Sequence, residues 1–240
     1  MNSEKEEYNS LVAQHYSAYR PPLHDTILSR VLDPDESFEL GLDIGCGTGC
    51  STLALSKRCK NTIGIDNSLS MLKEAQNKNG IKYIHGSGDD LSAVPNQKAD
   101  IVTMAGVLFY IKNQALRDEL KRISHSESLI IVYDFEVLFE SQISAMGILT
   151  SIDPSTYKHE ENLSDWDEFE TEKSVKEQLK LKISSLQYAH IILSNTDRFK
   201  KCVSRFKKSN PFNALIEYLD SKSSTHTVAT NIFFSRYSKR

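Results

Sequence analysis

From residue 38 onward, short apolar runs alternate with segments of helical periodicity. The apolar runs predict five strands, at 38–44, 62–66, 81–85, 99–104 and 129–132. Helical spacing predicts helices from a glycine-rich turn to about residue 60, from 67 to about 79, and around Leu116, Leu120 and Ile123. Strands that alternate with helices in this way are typical of a parallel sheet with right-handed crossovers.

The two ends of the chain follow other patterns. Apolar positions at three- and four-residue intervals predict an amphipathic helix over 8–20, stopped by the prolines at 21 and 22, and a second helix over 23–32. After residue 135 we expect strands at 179–183 and 226–234, with a basic helix at 197–208 between them. The acidic stretch 160–168 has the pattern of a solvated, capped helix start.

These elements predict an α/β fold of Rossmann-like, doubly wound type. We expect a mostly parallel seven-stranded sheet with helices on both faces. No linker or internal repeat divides the sequence, so it is interpreted as one domain over 1–240. Within it we distinguish N-terminal helices (8–35), a core (36–135), and an insertion with the last strands (136–240).

Composition narrows the classes of function. The 240 residues carry a net charge of −3, so no global field draws the chain to nucleic acid or membrane. The N-terminal ten residues are polar and acidic, unlike a signal peptide, and no apolar run approaches a membrane span, which predicts a cytoplasmic location. The four cysteines form no C-x-x-C pair, so we expect reduced thiols and no metal site.

The glycine turn after the first strand reads Asp43-Ile44-Gly45-Cys46-Gly47-Thr48-Gly49. Glycines at such a turn let a ligand approach the backbone closely. The dinucleotide fingerprint requires a glycine at the sixth position from Gly45, where this chain has Cys50. A carboxylate at Asp43 would also repel a pyrophosphate, whereas it would suit a ligand that carries an ammonium group.

Further acidic residues follow the next strands. Asp66, Asp89 and Asp134 come at or just after predicted strand ends, as Asp43 does. Ligands of open α/β sheets bind beyond the carboxyl ends of the strands, so these positions predict one polar ligand lying across that edge. Asp66 could accept both hydroxyls of a ribose, although a plain helix-capping role stays open for it.

Three segments in order resemble the class I S-adenosylmethionine (SAM)-dependent methyltransferases. The D-x-G-x-G-x-G turn at 43–49 is similar to their motif I, and G-x-D-x-S-x-x-M at 64–71 to their motif II. The segment 86–91 is similar to their third element, although Ser87 and Gly88 replace the aspartate and alanine that are common there. Residues 16–21, Y-S-A-Y-R-P, resemble the N-terminal lid of small-molecule methyltransferases, and a helix that only covers a face of the sheet is the alternative. The resemblance covers about residues 8–135.

The resemblance implies SAM as the cofactor, with S-adenosylhomocysteine as its product. It implies that Asp43 lies near the methionine moiety, Asp66 binds the ribose, and Asp89 lies near the adenine amine. The full set of implied cofactor-binding residues is Tyr16, Tyr19, Arg20, Asp43, Gly45, Cys46, Gly47, Gly49, Asp66, Asn67, Met71, Gly88, Asp89 and Ala105.

The residues do not identify a catalytic group. A carboxylate acceptor would need no base, whereas an amine or hydroxyl acceptor can need one. The side chains that could serve are His15, Tyr16, Tyr110, Asp134 and His190, each with a packing or surface role as the alternative.

A small-molecule acceptor is favoured, because the (N/D/S)-P-P-(Y/F) motif of amino-methylating nucleic-acid and protein enzymes is missing after the fourth strand. We expect Phe109, Tyr110 and residues 136–175 to shape its pocket. Three alternatives stay open: a nucleic-acid or protein methyltransferase, a non-catalytic SAM-binding regulator, and an NAD-linked oxidoreductase.

Overall fold

The computed structural model describes residues 11–12, 14–15, 18–19, 21–148 and 157–240. The chain divides into two compact units. We call Pro22–Glu136, Thr156–Glu177 and Ile232–Arg240 the sheet unit, and Met1–Pro21, Val137–Ser155 and Gln178–Asn231 the helical unit. No described helix is long and apolar enough to span a bilayer.

The described residues form a seven-stranded sheet in the order β3-β2-β1-β4-β5-β7-β6. The strands are β1 Phe38–Ile44, β2 Cys59–Asp66, β3 Ile81–His85, β4 Ala99–Ala105, β5 Ser124–Leu138, β6 Phe169–Ser184 and β7 Thr225–Lys239. Strands β1 to β5 pair in parallel. In the side-chain hydrogen bonds between β6 and β7, residue numbers increase along one strand as they decrease along the other. These two strands are therefore antiparallel. The predicted Rossmann-like, mostly parallel sheet with helices on both faces is confirmed.

Helices connect most of the strands. Those of the sheet unit are α1 Leu23–Val31, α2 Cys50–Leu55, α3 Leu69–Lys73, α4 Leu108–Ile111 and α5 Gln114–Ile123. Those of the helical unit are α6 Glu140–Ala145, α7 Ser185–Leu193, α8 Thr196–Phe206 and α9 Phe212–Asp220. The sheet unit buries one core that includes Leu42, Met104, Ile130 and Trp166. Because the strand order reverses between β1 and β4, the carboxyl ends of these two strands mark the expected position of a ligand.

Two predicted helices are shorter than expected. The helix expected to reach residue 60 ends at Leu55, because Cys59 is drawn into the sheet opposite Phe38 of β1. Residues 59–61 thus belong to β2, where tertiary pairing overrides a helix-compatible pattern. The helix expected to continue to about residue 79 ends at Lys73. The helix is capped at its N-terminus, since the Ser68 hydroxyl accepts the amide of Met71 at 3.4 Å.

The acidic stretch 160–168 is not the solvated helix start that its composition predicts. It forms turns, and its carboxylates pair with cations of α5 and the preceding segment. Lys112 lies 2.8 Å from Glu161 and 2.8 Å from Asp165, and Arg117 lies 2.7 Å from Glu168. These cations come from about fifty residues earlier in the chain, so no local pattern could have indicated the pairing.

The later strands are longer than predicted, and several helices were missed. Strand β6 runs from Phe169 to Ser184, beyond the predicted 179–183. The prediction was too short because the first half of the strand is polar and exposed at the sheet edge. Charged residues on an edge strand hinder pairing with other chains, and they also hide its strand pattern. Helices α7 and α9 were not predicted. Helix α7 is largely buried, and a segment that is apolar on most sides lacks the amphipathic period.

The helical unit packs around its own core, which includes Phe139, Tyr188, Phe199 and Leu215. Phe199 and Cys202 of α8 are buried in it. Residues 11, 12, 14, 15 and 18, within the first predicted helix, are helical.

A pair of histidines lies in this core. His15 Nδ1 lies 3.0 Å from His190 Nδ1, and both rings pack against Phe212. Burial, and secondarily the charge of His190, lowers the pKa of His15 from 6.5 to about 4. Burial also lowers the pKa of His190.

We expect this pair to make the protein sensitive to acid. Between the folded pKa of His15, about 4, and its ordinary value of 6.5, the unfolded chain binds more protons, so stability falls as the pH falls through this window. The loss attributable to His15 is about 3 kcal/mol. Urea unfolding at pH 7 and pH 4.5 measures it. His15→Phe should flatten the pH dependence, whereas the same change at the exposed His85 should not. If the free energy of unfolding depended on pH equally in the wild type and in both variants, the prediction would be contradicted.

Candidate active site

The glycine turn lies between β1 and α2, and three of its residues have left-handed backbone conformations. Gly45, Gly47 and Gly49 have φ values of 73°, 54° and 83°. A Cβ on Gly49 would lie 2.3 Å from the Tyr83 hydroxyl oxygen, so a larger residue there would displace the Tyr83 ring. A Cβ on Gly47 would meet no atom within 4 Å. The turn is therefore packed on its inner side and open at Gly47, where a ligand can approach the backbone.

Asp43 lies beneath the turn and is fully buried. Its Oδ2 accepts hydrogen bonds from the hydroxyls of Ser51 and Thr52, both at 2.6 Å, and its Oδ1 accepts one from Thr103 at 2.9 Å. Burial raises the pKa of Asp43, although the three hydroxyls act in the opposite direction. The carboxylate thus ties β1 to the start of α2 and to β4, and its predicted place near the methionine moiety stays a prediction.

Asp66 holds the turn from the end of β2. Its Oδ2 accepts the amide of Gly47 at 2.8 Å, and its Oδ1 accepts the amide of Ser68 at 2.8 Å. The amides of Gly45 and Cys46 donate to the carbonyl of Ile65, so the turn is bound to β2 at several points. The capping of α3 is performed by Ser68, which leaves the Asp66 carboxylate with lone pairs for a ligand.

A cleft of about 340 Å³ opens at this edge of the sheet. We call it the cofactor cleft, and it is lined by Ile44, Gly45, Ile65, Asp66, Asn67, Gly86, Ser87, Gly88, Val107, Tyr110 and Ile111. The predicted residues Gly45, Asp66, Asn67 and Gly88 are brought together here. Gly88, in the loop after β3, is buried, and a Cβ on it would lie 2.9 Å from Ile111 Cδ1 of α4, so a larger residue there would displace this side chain.

The other predicted residues lie elsewhere. Asp43, Cys46, Gly47, Gly49 and Ala105 are at the same edge but do not line the cleft, while Met71 and Asp89 are exposed. Tyr19 belongs to the helical unit and packs against its core. Tyr16 and Arg20 lie outside the described residues.

Sequence reasoning missed part of the cleft. Ile44 and Ile65 are the last apolar residues of β1 and β2, so the strand pattern could have identified them. Val107 and Ile111 follow β4 without any motif, and only the fold brings them to Gly45 and Gly88.

A second polar cluster lies beside the cleft, at the carboxyl end of the sheet, and we call Asp134, Tyr157 and His159 the Asp134 cluster. Asp134 Oδ2 accepts hydrogen bonds from the Tyr157 hydroxyl at 2.8 Å and from His159 Nδ1 at 2.7 Å. The hydrogen bond to Asp134 is the main cause of a raised pKa of His159, while burial opposes it. Asp134, one of the bases suggested by the sequence, is therefore already engaged by two donors.

Aromatic rings connect the cluster with the cleft. Tyr157 packs against Phe109 at 5.0 Å and against Tyr110 at 5.3 Å between ring centroids. Tyr110 is 70% exposed and lines the cleft. Of the remaining suggested bases, His15 and His190 are paired with each other in the helical unit.

Comparisons with known proteins find similar domains and folds. Residues 42–132 match the family model described as "Methyltransferase domain". The chain is 24% identical over 129 residues to a candidate methyltransferase of Dictyostelium discoideum (53% of this chain, 48% of that protein). It is 28% identical over 121 residues to a probable SAM-dependent methyltransferase of Saccharomyces cerevisiae (47% of this chain, 42% of that protein). The chain thus spans about half the length of the curated relatives it matches.

A similar fold is found in a solved structure of a candidate type II methyltransferase from Anaeromyxobacter dehalogenans. The TM-score is 0.63 at 13% identity, covering 92% of this chain and 98% of that one. The matched segment 42–132 contains the glycine turn, Asp66 and the whole cofactor cleft. This segment is thus similar to the methyltransferase domain, and the fold around it is similar to that of a methyltransferase.

Proposed function

We propose that the chain catalyses transfer of a methyl group from SAM to a small-molecule acceptor. One observation carries the proposal: the cofactor cleft lies where the strand order reverses, with a glycine turn and the Asp66 carboxylate at its edge. The open side of Gly47 and the remaining lone pairs of Asp66 fit a ligand that brings a ribose diol.

In this proposal Asp66 accepts the ribose hydroxyls, and Asn67 and Gly88 lie against the adenosine. Asp43, beneath the turn, supplies negative charge toward the ammonium of the methionine moiety. The further contacts proposed are those of Tyr16, Tyr19, Arg20, Cys46, Met71, Asp89 and Ala105. SAM supplies a methyl group on a sulfonium, so the protein has to align the acceptor and exclude water.

The basic helix α8 supports a small acceptor over a polyanion. Arg198 donates to the carbonyls of Ile191 and Ile192, and Arg205 donates to the carbonyl of Met146. Lys201 pairs with Asp197 at 2.7 Å. Several of its cations thus stabilise the helical unit itself, which leaves a weaker basic surface than the sequence suggests.

Two measurements test the proposal. Calorimetric titration should show binding of SAM and no binding of NAD at millimolar concentrations. A screen of small acceptors with methyl-labelled SAM should then yield labelled product and S-adenosylhomocysteine. A protein that does not bind SAM refutes the proposal. Binding without product across the screen would favour a regulator, and salt-sensitive binding of polynucleotide would favour a nucleic-acid methyltransferase. A cytoplasmic location stays a prediction.

A further inference from the structure

The hydrogen bond between His159 and Asp134 determines which nitrogen of the imidazole is free. A carboxylate can only accept, so Nδ1 of His159, 2.7 Å from Asp134 Oδ2, carries the hydrogen. In the neutral ring Nε2 then carries a lone pair. No described residue binds Nε2. A base needs a lone pair of this kind, held in one orientation by a fixed partner.

The Asp134 cluster lies next to the residues that end β4. The Tyr157 hydroxyl is 2.8 Å from Asp134 Oδ2 and 3.0 Å from the Gly106 carbonyl oxygen. Gly106 has a φ of 65° and donates its amide to the carbonyl of Tyr133. The following residue, Val107, lines the cofactor cleft. Tyr157 therefore joins the cluster to the chain segment that borders the cleft.

His159 also borders a cavity of about 550 Å³, which it shares with Tyr157 and Phe233. The Phe233 ring stacks on the imidazole at 5.8 Å with an interplanar angle of 11°, which restricts the orientation of His159. The cavity is large enough for an acceptor of one or two rings.

Charged groups surround this cavity. Its lining contains Glu136, Lys158, Glu160, Glu161 and Lys176. Glu160 pairs with Lys176 at 2.5 Å, and Glu161 with Lys112 at 2.8 Å. Asp134 and Glu136 both favour the imidazolium form of His159. A proton taken up at Nε2 would therefore be stabilised by the carboxylates that face the ring.

Building on the proposed methyl transfer, we propose that His159 is its general base, that Asp134 is a positioning residue, and that the acceptor is an aromatic hydroxyl compound. Nε2 takes the hydroxyl proton, and the electron pair of the acceptor oxygen forms the bond to the methyl carbon. The pair of the broken carbon–sulfur bond stays on sulfur, and the imidazolium later returns its proton to solvent. An imidazole matches a weakly acidic phenol, whereas a carboxylate acceptor would need no base. The rings of Phe109, Tyr110 and Tyr157 provide an aromatic wall beside the cluster.

The test uses the full chain, methyl-labelled SAM, and a panel of phenols of graded acidity that includes 4-nitrophenol and catechol, with benzoates for comparison. At pH 7, His159→Gln should lower kcat on phenols about a hundredfold. Its Kd for SAM should stay within about twofold of the wild type, since His159 does not line the cleft. The loss should disappear above the pKa of each phenol, because the hydroxyl then ionises in water. Accordingly, 4-nitrophenol should show the smallest defect.

Two further variants separate catalysis from structure. His125→Gln removes another histidine–aspartate pair, His125 with Asp100 at 3.0 Å, near the start of β5, and should leave the rates unchanged. Asp134→Asn should slow phenol methylation and shift the acid limb of its pH profile, since an amide can favour the wrong tautomer. A merely structural Asp134 would lower the melting temperature without moving that profile.

The outcomes distinguish the two proposals. A wild-type protein that fails to bind SAM refutes the proposed function itself. A protein that binds SAM but methylates no phenol, or methylates a benzoate or amine instead, overturns the inference alone. Equal phenol kinetics for His159→Gln and the wild type at pH 7 overturn it as well.

Discussion

Replacing Asp66 by alanine is expected to weaken SAM binding about a thousandfold, since the two charge-assisted hydrogen bonds proposed to the ribose diol would contribute about 1.5–3 kcal/mol each. The same carboxylate accepts the amides of Gly47 and Ser68, so the substitution also releases the glycine turn at Gly47. Both effects weaken binding. Asp66→Asn should lose less affinity, because it keeps one acceptor oxygen. It should still lose some, because its NH2 group would face a backbone amide that is itself a donor.

Calorimetric titration with SAM measures the loss, and circular dichroism shows whether each variant is folded. Asp35→Ala is the matched control, because Asp35 is an exposed carboxylate in the loop before β1. Asp89→Ala tests the weaker prediction that this exposed residue lies near the adenine, for which we expect about a tenfold loss. A folded Asp66→Ala protein with wild-type affinity would mean that the ribose lies elsewhere.

Replacing Asp43 by alanine is expected to lower the free energy of unfolding by about 3 kcal/mol, because it leaves the buried hydroxyls of Ser51, Thr52 and Thr103 without their hydrogen-bond acceptor. Asp43→Asn should cost less than about 1 kcal/mol near pH 7, since hydroxyls can donate or accept. The raised pKa of Asp43 points the same way: burial disfavours its charge, and a neutral amide avoids that cost.

Urea unfolding of the two variants measures this difference, and Ser92→Ala, in an exposed loop, serves as the control for ordinary surface change. A loss of equal size in Asp43→Asn would show that the charge itself stabilises the fold. The Asp43→Asn protein also tests the cofactor role. If Asp43 acts on the ammonium of SAM, affinity should fall about tenfold, or ~1.4 kcal/mol. Unchanged affinity for SAM would mean that the role of Asp43 is structural, holding α2 against β1 and β4.

Much of the sheet could be predicted from the sequence. Strands β1 and β3 have the predicted bounds, and β4 differs by one residue, because buried parallel strands are short apolar runs bounded by turns. The exposed half of β6 could not be predicted in this way. Its residues 170–174 are all exposed, so its strand conformation comes from pairing with β7 rather than from its own pattern.

The cleft was partly predictable for a similar reason. Asp66 and Gly88 follow strands, and parallel strands carry such residues to one edge whatever the helices between them do. Tyr110 and Ile111 reach the same cleft through the short helix α4, which has no motif.

The sequence by itself determined the Rossmann-like sheet, the glycine turn and the edge at which a cofactor would lie, because each depends on patterns within a few residues. Only the tertiary structure decided that Asp43 is buried under three hydroxyls and that His159 and Tyr157 meet Asp134, more than twenty residues earlier. Glu161 and Glu168 of the acidic stretch likewise pair with cations some fifty residues away. Contacts of this range depend on chain packing, which places side chains together without leaving a local pattern.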